Sequence, residues 1–564
     1  SKSLTSANLI AATPLATQLE RTRVWKKTVR SDSLKSARSA PPPVSGDKTR
    51  VNIVSEPLCD DILSYIGKSL EPHQGCDLID LYPGAGLWST KLHNFLKPRS
   101  HIMMEPDADL YRPFLEPLLE RKGTTLIPKS GIVWHELNDI LTPEHLPNQT
   151  VHHKDSPGAN MKNDTLLVTC NLAFHPRKRL FSFESIAMLL IHQFMDAIKN
   201  GALFHKYGLV RMLLWVRRED KINILPRLIQ NRRRPSTDAE LYCEAINEVV
   251  THGGPEKKDF NRDENIERAS ALAVLNRMKK ANIKVPEGRE SDAFKQAMLD
   301  SALKPKAAPN PGSCPPVMKR NYLEMQASLE EKQPQHGTAE FKRLQEYGWR
   351  RTADTKRLER AHNLFSRHEE LTQLKQAGKI SDEELHAAEE QLSEIIDRLP
   401  VFASSEFTSL RDNLHIWKQD EPAMLWDKRT VEPIIAEEQE FYPNCDTCLL
   451  DIMPGPVHPL IRDIGAGSSR SGECFELIQK SMWANPKAPI DKALDGVYPG
   501  AADWILPRCP SFRDPARGGC LVNAKHMTLT VRTLNRKQWE ELLEQWYAWP
   551  FHPEFRDLVA RSQD

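Results

Sequence analysis

The residues best placed to do chemistry lie between Asp80 and Glu105, in DLYPGAGLWSTKLHNFLKPRSHIMME. The apolar pair Leu78 and Ile79 runs into a turn holding Gly84 and Gly86, and Leu87, Leu92 and Phe95 then mark one side of a helix. A second apolar strand, Ile102 to Met104, ends on Glu105. Strand, glycine turn, helix, strand and acid, in that order, are how a doubly wound α/β fold builds a nucleoside pocket. Glycine lets the backbone approach the ligand, and an acid about 20 residues further on accepts hydrogen bonds from ribose hydroxyls. The candidate cofactor residues are therefore Asp80, Tyr82, Gly84, Gly86 and Glu105. Tyr82 breaks the pattern, because a phenol ring beside the turn must project into the cofactor volume or displace the turn. A βαβ corner without a ligand fits the same residues.

A second constellation follows the strand-like run Leu166 to Cys170, which leads directly into Asn171-Leu172-Ala173-Phe174. Asn171 can accept a hydrogen bond from an exocyclic amine, and Phe174 can stack on a base taken out of its helix. The plain alternative is a strand-ending Asn beside a core Phe. Cations cluster after the same strand ends: Arg177, Lys178 and Arg179, then Arg217, Arg218 and Lys221, then Arg227 and Arg232, Arg233 and Arg234. Ligands bind on that side of such sheets, so these cations are candidate phosphate contacts. Charge runs also occur as merely solvated faces. Cys445 and Cys448 form a lone CxxC with no second pair, and the 19 histidines show no HExxH, so no metal site is expected.

The elements that must hold these residues alternate. Pro57 to Leu70 reads as an amphipathic helix, and strands are expected at Asp77–Leu81, His101–Glu105, near Leu126, Leu166–Cys170 and Val210–Val216. A helix over Phe183–Lys199 closes at Asn200-Gly201. Strands alternating with helices predict a mostly parallel sheet over residues 51–250. From Thr251 to Pro422 the rhythm breaks into a polar, basic insertion with a Pro-rich linker at 304–316. Within it, Leu358, Ala361, Phe365, His368, Leu371 and Leu374 recur at helical spacing. A capping box at Ser381 and Glu384 then restarts the stripe at Leu385, Ala388, Leu392, Ile395 and Leu399, which predicts a helical hairpin. Residues 423–453 return to the sheet, and 454–564 read as a small helical C-terminal domain.

Composition narrows the function. With 40% hydrophobic and 27% charged residues the 564-residue chain is ordinary for a globular protein. A net charge of +1 confines any nucleic-acid surface to local patches. No apolar run reaches the length of a membrane span. Residues 1–50 hold ten Lys/Arg against three acids and are rich in Ser, Thr and Ala, a composition that predicts a mitochondrial import sequence or a disordered basic arm.

Three stretches, DLYPGAG (80–86), KYGLVRMLLWV (206–216) and EQWYAWPFHPEFRDLV (544–559), make the chain resemble the rRNA adenine dimethyltransferase superfamily, and within it the fungal mitochondrial transcription factor B branch. VNIVSEPLCDDIL (51–63) is similar to the family's opening segment; the insertion and the basic leader lie outside the resemblance. The resemblance implies a Rossmann-like class I methyltransferase fold. In methylating members the glycine turn reads acid-x-Gly-x-Gly-x-Gly, and an Asn-Leu-Pro-Tyr type of turn holds the target adenine. Here Tyr82 replaces the first glycine, and Asn171-Leu172-Ala173-Phe174 stands in the second place. The acid that would hold the donor's adenine has no clear counterpart; Ser130 and Asp139 both align. S-adenosylmethionine binding is therefore expected to be weak or lost. The implied function is a monomeric initiation factor of the mitochondrial matrix that binds promoter DNA and the single-subunit RNA polymerase and helps melt the start site. The alternatives are an S-adenosylmethionine-dependent adenine dimethyltransferase acting on small-subunit rRNA, and an rRNA-binding assembly protein.

Overall fold

The computed structural model describes residues 9–25, 45–179, 183–253, 262–303, 320–419, 421–521 and 526–561. The Pro-rich 304–316 segment and most of the basic leader lie outside these.

Eight strands form one sheet: β2 (Asp77–Leu81), β3 (Ser100–Met104), β4 (Thr124–Ile127), β5 (Lys162–Asn171), β6 (Leu209–Arg217), β7 (Cys243–His252), β8 (Ile434–Ala436) and β10 (Thr447–Pro454). The order across the sheet is β4-β3-β2-β5-β6-β10-β7-β8. All pairings are parallel except those of β10, which runs antiparallel between β6 and β7. Two short strands, β1 (Asn52–Ile53) and β9 (Phe441–Tyr442), pair apart from it. Reversal of strand order beside β2 and one antiparallel strand near the far edge make this the Rossmann-like methyltransferase topology expected from the sequence.

The central strands are buried on both faces, which is why they read as nearly continuous apolar runs. Their side chains alternate between two cores. Leu78, Leu167, Leu213 and Trp215 meet helix Glu56–Leu70 and helix Leu87–Leu96. Ile79, Leu81, Val168, Met212 and Leu214 meet helix Ile186–Asn200 and the C-terminal helices. Local signals start these helices where the sequence places them: Ser55 caps the first by accepting from the Leu58 N–H, and Ser185 caps the third through Met188.

The C-terminal region is helical as expected, but it shares its core with the sheet. Phe475, Leu494, Trp539 and Trp546 belong to the same apolar cluster as β2, β5 and β6. The insertion forms the predicted hairpin from helix Ala339–Gln376 and helix Asp382–Asp397, with the Ser381–Glu384 capping box in place. Helix Val401–Trp417 completes it, and Ala361, Phe365, Leu392, Ile396, Phe407 and Leu414 pack together.

The reading of residues 1–50 as a disordered leader needs correction for the parts described. Pro14–Arg21 is a helix with Ala16 and Leu19 fully buried, and Val24 and Trp25 are buried with them against Tyr111, Leu115 and Tyr442. Four apolar anchors spaced along a basic segment suffice to hold it on the core, and bulk composition hides them.

Candidate functional site

In a doubly wound sheet a ligand binds where the strand order reverses, outside the carboxyl ends of the strands. Here that point lies between β2 and β5. The structure brings the predicted turn residues together there: Tyr82 to Gly86 after β2, Glu105 after β3, Ser130 beyond β4 and Asn171 to Phe174 ending β5. The segment 47–53 fills the crevice from outside. It runs along the β5 exit as a short antiparallel bridge, with Arg50 opposite Phe174. The Val51 N–H donates to Ala173 O at 3.2 Å and the His175 N–H to Thr49 O at 2.7 Å. Trp25 Nε1 adds a hydrogen bond to Arg50 O at 3.1 Å.

Arg50 closes the centre. Its guanidinium donates in a fork to Glu105, at 3.0 Å to Oε1 and 3.1 Å to Oε2, and to Tyr82 O at 3.2 Å. Both side chains are removed from solvent. Burial works against the Arg50 charge, yet the Glu105 carboxylate outweighs it and holds the guanidinium pKa above its ordinary value. Glu105 also accepts the Gly84 N–H at 3.0 Å and the Asp107 N–H at 3.1 Å. Its lone pairs, which the sequence assigned to ribose hydroxyls, are taken up within the chain.

Tyr82 takes a backbone conformation that favours glycine. Its φ of 61° lies in the left-handed region, where a bulky residue is an outlier that surrounding contacts must hold in place. Those contacts are visible. The hydroxyl pairs with Ser130 Oγ at 2.6 Å, the ring lies 4.3 Å under the Arg50 guanidinium, and Phe174 meets it edge-on at 6.5 Å. Burial pushes the phenol up to about 12. The ring therefore goes into the crevice and the turn stays put. Asn52 covers the rest of the turn: its Oδ1 accepts the Ala85 N–H at 2.9 Å and lies where a Gly84 side chain would begin. Glycine is required at 84 for this contact and for its φ of 58°.

The groups that would hold a nucleoside donor are thus engaged within the chain. Asp80 lies below the crevice, 3.5 Å from His101 Nε2. Of the two positions aligned to a donor-binding acid, Ser130 serves Tyr82, while Asp139 pairs at the surface with Lys129 at 2.8 Å.

The target-base reading is corrected in the same way. Asn171 donates to Val51 O at 2.8 Å and accepts the Ala173 N–H at 3.1 Å. Phe174 is 3% exposed, with Lys178 Nζ 4.9 Å over its ring. Both side chains are buried. They form the wall against which the 47–53 strap is laid.

The predicted cation rim divides. Arg232 is fully buried: it pairs with Glu240 and donates to the backbone oxygens of Arg532 and Leu534. Lys221 is buried on Glu248, and Arg217 is buried between Asp446 and His175. These three hold the fold together and do not reach phosphate. Arg177 pairs with Glu219 at 2.9 Å and Asp220 at 2.8 Å, Lys178 with Asp47, and Arg234 with Asp238 at 3.6 Å. Arg218 is half-buried, and Arg179 and Arg233 are exposed. Cys445 and Cys448 are both buried, with burial raising each thiol above its usual range.

Sequence reasoning missed Arg50 and Asn52. One signal was present, an arginine and an asparagine flanking Val51 at the head of an apolar run, but their partners lie 55 and 33 residues away.

No family model matches the chain. Among curated proteins, mitochondrial transcription factor 1 of Saccharomyces paradoxus is 25% identical over 184 residues, 33% of this chain and 47% of that protein. The Saccharomyces cerevisiae protein of the same name is 24% identical over 174 residues, 31% and 44% of the two chains. That of Lachancea kluyveri is 22% identical over 176 residues, 31% and 45%. The chain is similar to fungal mitochondrial transcription factors. The matches span a little under half the length of each of these relatives. A dimethyladenosine transferase from Plasmodium falciparum aligns over 88% of this chain and 98% of its own, with a TM-score of 0.34 and 8% identity. The fold assignment rests on the strand order and register instead.

Proposed function

We propose that this chain is a mitochondrial transcription initiation factor that binds promoter DNA and assists a single-subunit RNA polymerase in opening the start site, acting in the matrix through a methyltransferase-type fold that no longer transfers methyl groups. The relatives' name supports the process and the compartment. The observation that carries the loss of chemistry is the Arg50–Glu105 pair stacked over the Tyr82 ring, in the crevice a methyl donor would need. A base-flipping methylase must also keep an open pocket for the adenine, and Asn171 and Phe174 are walled in.

Run-off transcription with the cognate polymerase tests this reading. The chain should stimulate initiation strongly on duplex promoter and little on a template already opened at the start site. Uptake of labelled S-adenosylmethionine with methylation of small-subunit rRNA, and no effect on run-off, would overturn it in favour of the dimethyltransferase.

A further inference from the structure

Helix Ala339–Gln376 is 38 residues long, which at 1.5 Å per residue is about 57 Å. One side is packed: Ala361, Leu364 and Phe365 face the hairpin core, and Asp354 gathers Arg320, Tyr322 and Arg357. The flank beside it is different. Lys342, Trp349, Lys356, Arg360 and Arg367 fall within about 40° of one another at 3.6 residues per turn. All five are exposed, and Trp349 is 71% exposed. None of the four cations makes an ion pair with a described residue, although ion pairs are common elsewhere in the protein. Glu346, Glu359 and Glu370 stand three or four residues from Lys342, Lys356 and Arg367 but are not paired with them.

Lysine and arginine on a helix can pair with a carboxylate three or four residues away. A line of four that make no such pair, spread over about 38 Å, presents cations free to take other partners in the linear form of a phosphodiester backbone. Tryptophan is largely buried on average. One standing clear among these cations offers a flat face on which a base can stack, and stacked aromatics between cations are how single strands are held without sequence preference.

We infer that this flank is a binding surface for single-stranded nucleic acid, with Lys342, Lys356, Arg360 and Arg367 on phosphates and Trp349 stacked on a base. The inference rests on the proposed function only for the source of the strand, which would be DNA exposed when the start site opens. The surface belongs to the insertion, outside the segments that resemble the transcription factors, and so adds a strand contact to the sheet-based core.

A labelled DNA oligonucleotide of about 12 nucleotides, titrated into the full chain at several salt concentrations, tests the surface. Changing Lys342, Lys356 and Arg360 together to Gln should flatten the slope of log affinity against log salt by about 2, at about 0.7 per phosphate contact on a single strand. Changing the exposed Lys122, Lys280 and Lys295 to Gln should leave the slope unaltered. Trp349→Ala should weaken binding ~10-fold, the loss of one stacked base. The emission that Trp349→Phe removes should be quenched by the strand. An unchanged slope in the flank variant, an equal change in the control, or duplex binding as tight as the strand with Trp349 emission unaltered would overturn the inference. If the flank variant matches wild type while run-off stimulation persists, this inference fails alone. If wild type holds the strand through Trp349 but gives no stimulation, the proposed function fails alone.

Discussion

The crevice at the carboxyl end of β2 and β5 and the outer flank of the long helix handle their charges in opposite ways. In the crevice, Arg50 and Glu105 pair with each other, Tyr82 bonds Ser130, Asn52 accepts the Ala85 N–H, and all four side chains are buried. On the flank, four cations and a tryptophan have no partner from the described chain. A site inherited with a fold can be closed by a handful of substitutions, because its geometry already converges polar groups. A new surface needs only charge, length and exposure, which an inserted helix supplies.

The contrast breaks most visibly at Arg50. Arg50→Ala leaves the Glu105 carboxylate buried with no counter-ion, and breaking such a pair typically costs about 3–5 kcal/mol. Chemical denaturation should show that loss, with Arg50→Lys intermediate because the charge remains but the fork does not. If Arg50→Ala is near neutral, the crevice is wetter than this closed arrangement.

Arg232 and Arg233 sharpen the same point within one cluster. Arg232→Gln should destabilise the fold by several kcal/mol, since Glu240 and two backbone oxygens lose a buried donor. Arg233→Gln, at an exposed position, should stay within about 0.5 kcal/mol. Equal effects of the two on stability, or a DNA-binding defect in Arg232→Gln without unfolding, would return Arg232 to the nucleic-acid surface.

A third, smaller effect is electrostatic. Asp47 anchors the strap through Lys178; burial opposes its charge, but the hydrogen bonds from Lys178 and Thr49 prevail and hold its pKa below the ordinary 3.8. A carboxylate with a depressed folded pKa stabilises the protein above its unfolded pKa and loses that contribution as pH falls through the folded value. The stability difference between wild type and Asp47→Asn should therefore be present at neutral pH, below about 1 kcal/mol for a half-exposed pair, and should fade only below pH 3.8.

Much of the fold was legible because its signals are local. Buried parallel strands announce themselves as apolar runs, and Ser55, Ser185 and Ser381 mark helix starts with their own side chains. β7 was not legible as a strand, since Glu244, Asn247, Glu248 and Thr251 interrupt it. Its buried carboxylate is tolerated only because Lys221 and Arg227 come from another element, and Asn247 serves the Thr430 N–H. The site was legible in position but not in state. Glycine spacing located the turn and the acid, and Tyr82 signalled the intrusion. The arginine that completes the closure lies in a segment whose composition reads as unstructured, and a pairing 55 residues apart leaves no trace in either neighbourhood. Charge runs misled for a related reason: three adjacent arginines look alike in sequence, while the turn before helix Arg234–Tyr242 sends one inward and one out.

The smallest expected effect is the most discriminating for the flank. Lys342, Lys356 and Arg360 touch nothing that their charge stabilises, so replacing all three with Gln removes repulsion and little else. Gln has nearly the helix propensity of Lys and Arg, and thermal unfolding of the triple variant should match wild type within about 0.5 kcal/mol. Removing three positive charges without cost means that folding did not select them. If the triple variant instead loses more than about 1 kcal/mol, those side chains are packed against the protein. The flank would then be a second closed region like the crevice, and its charges would be structural.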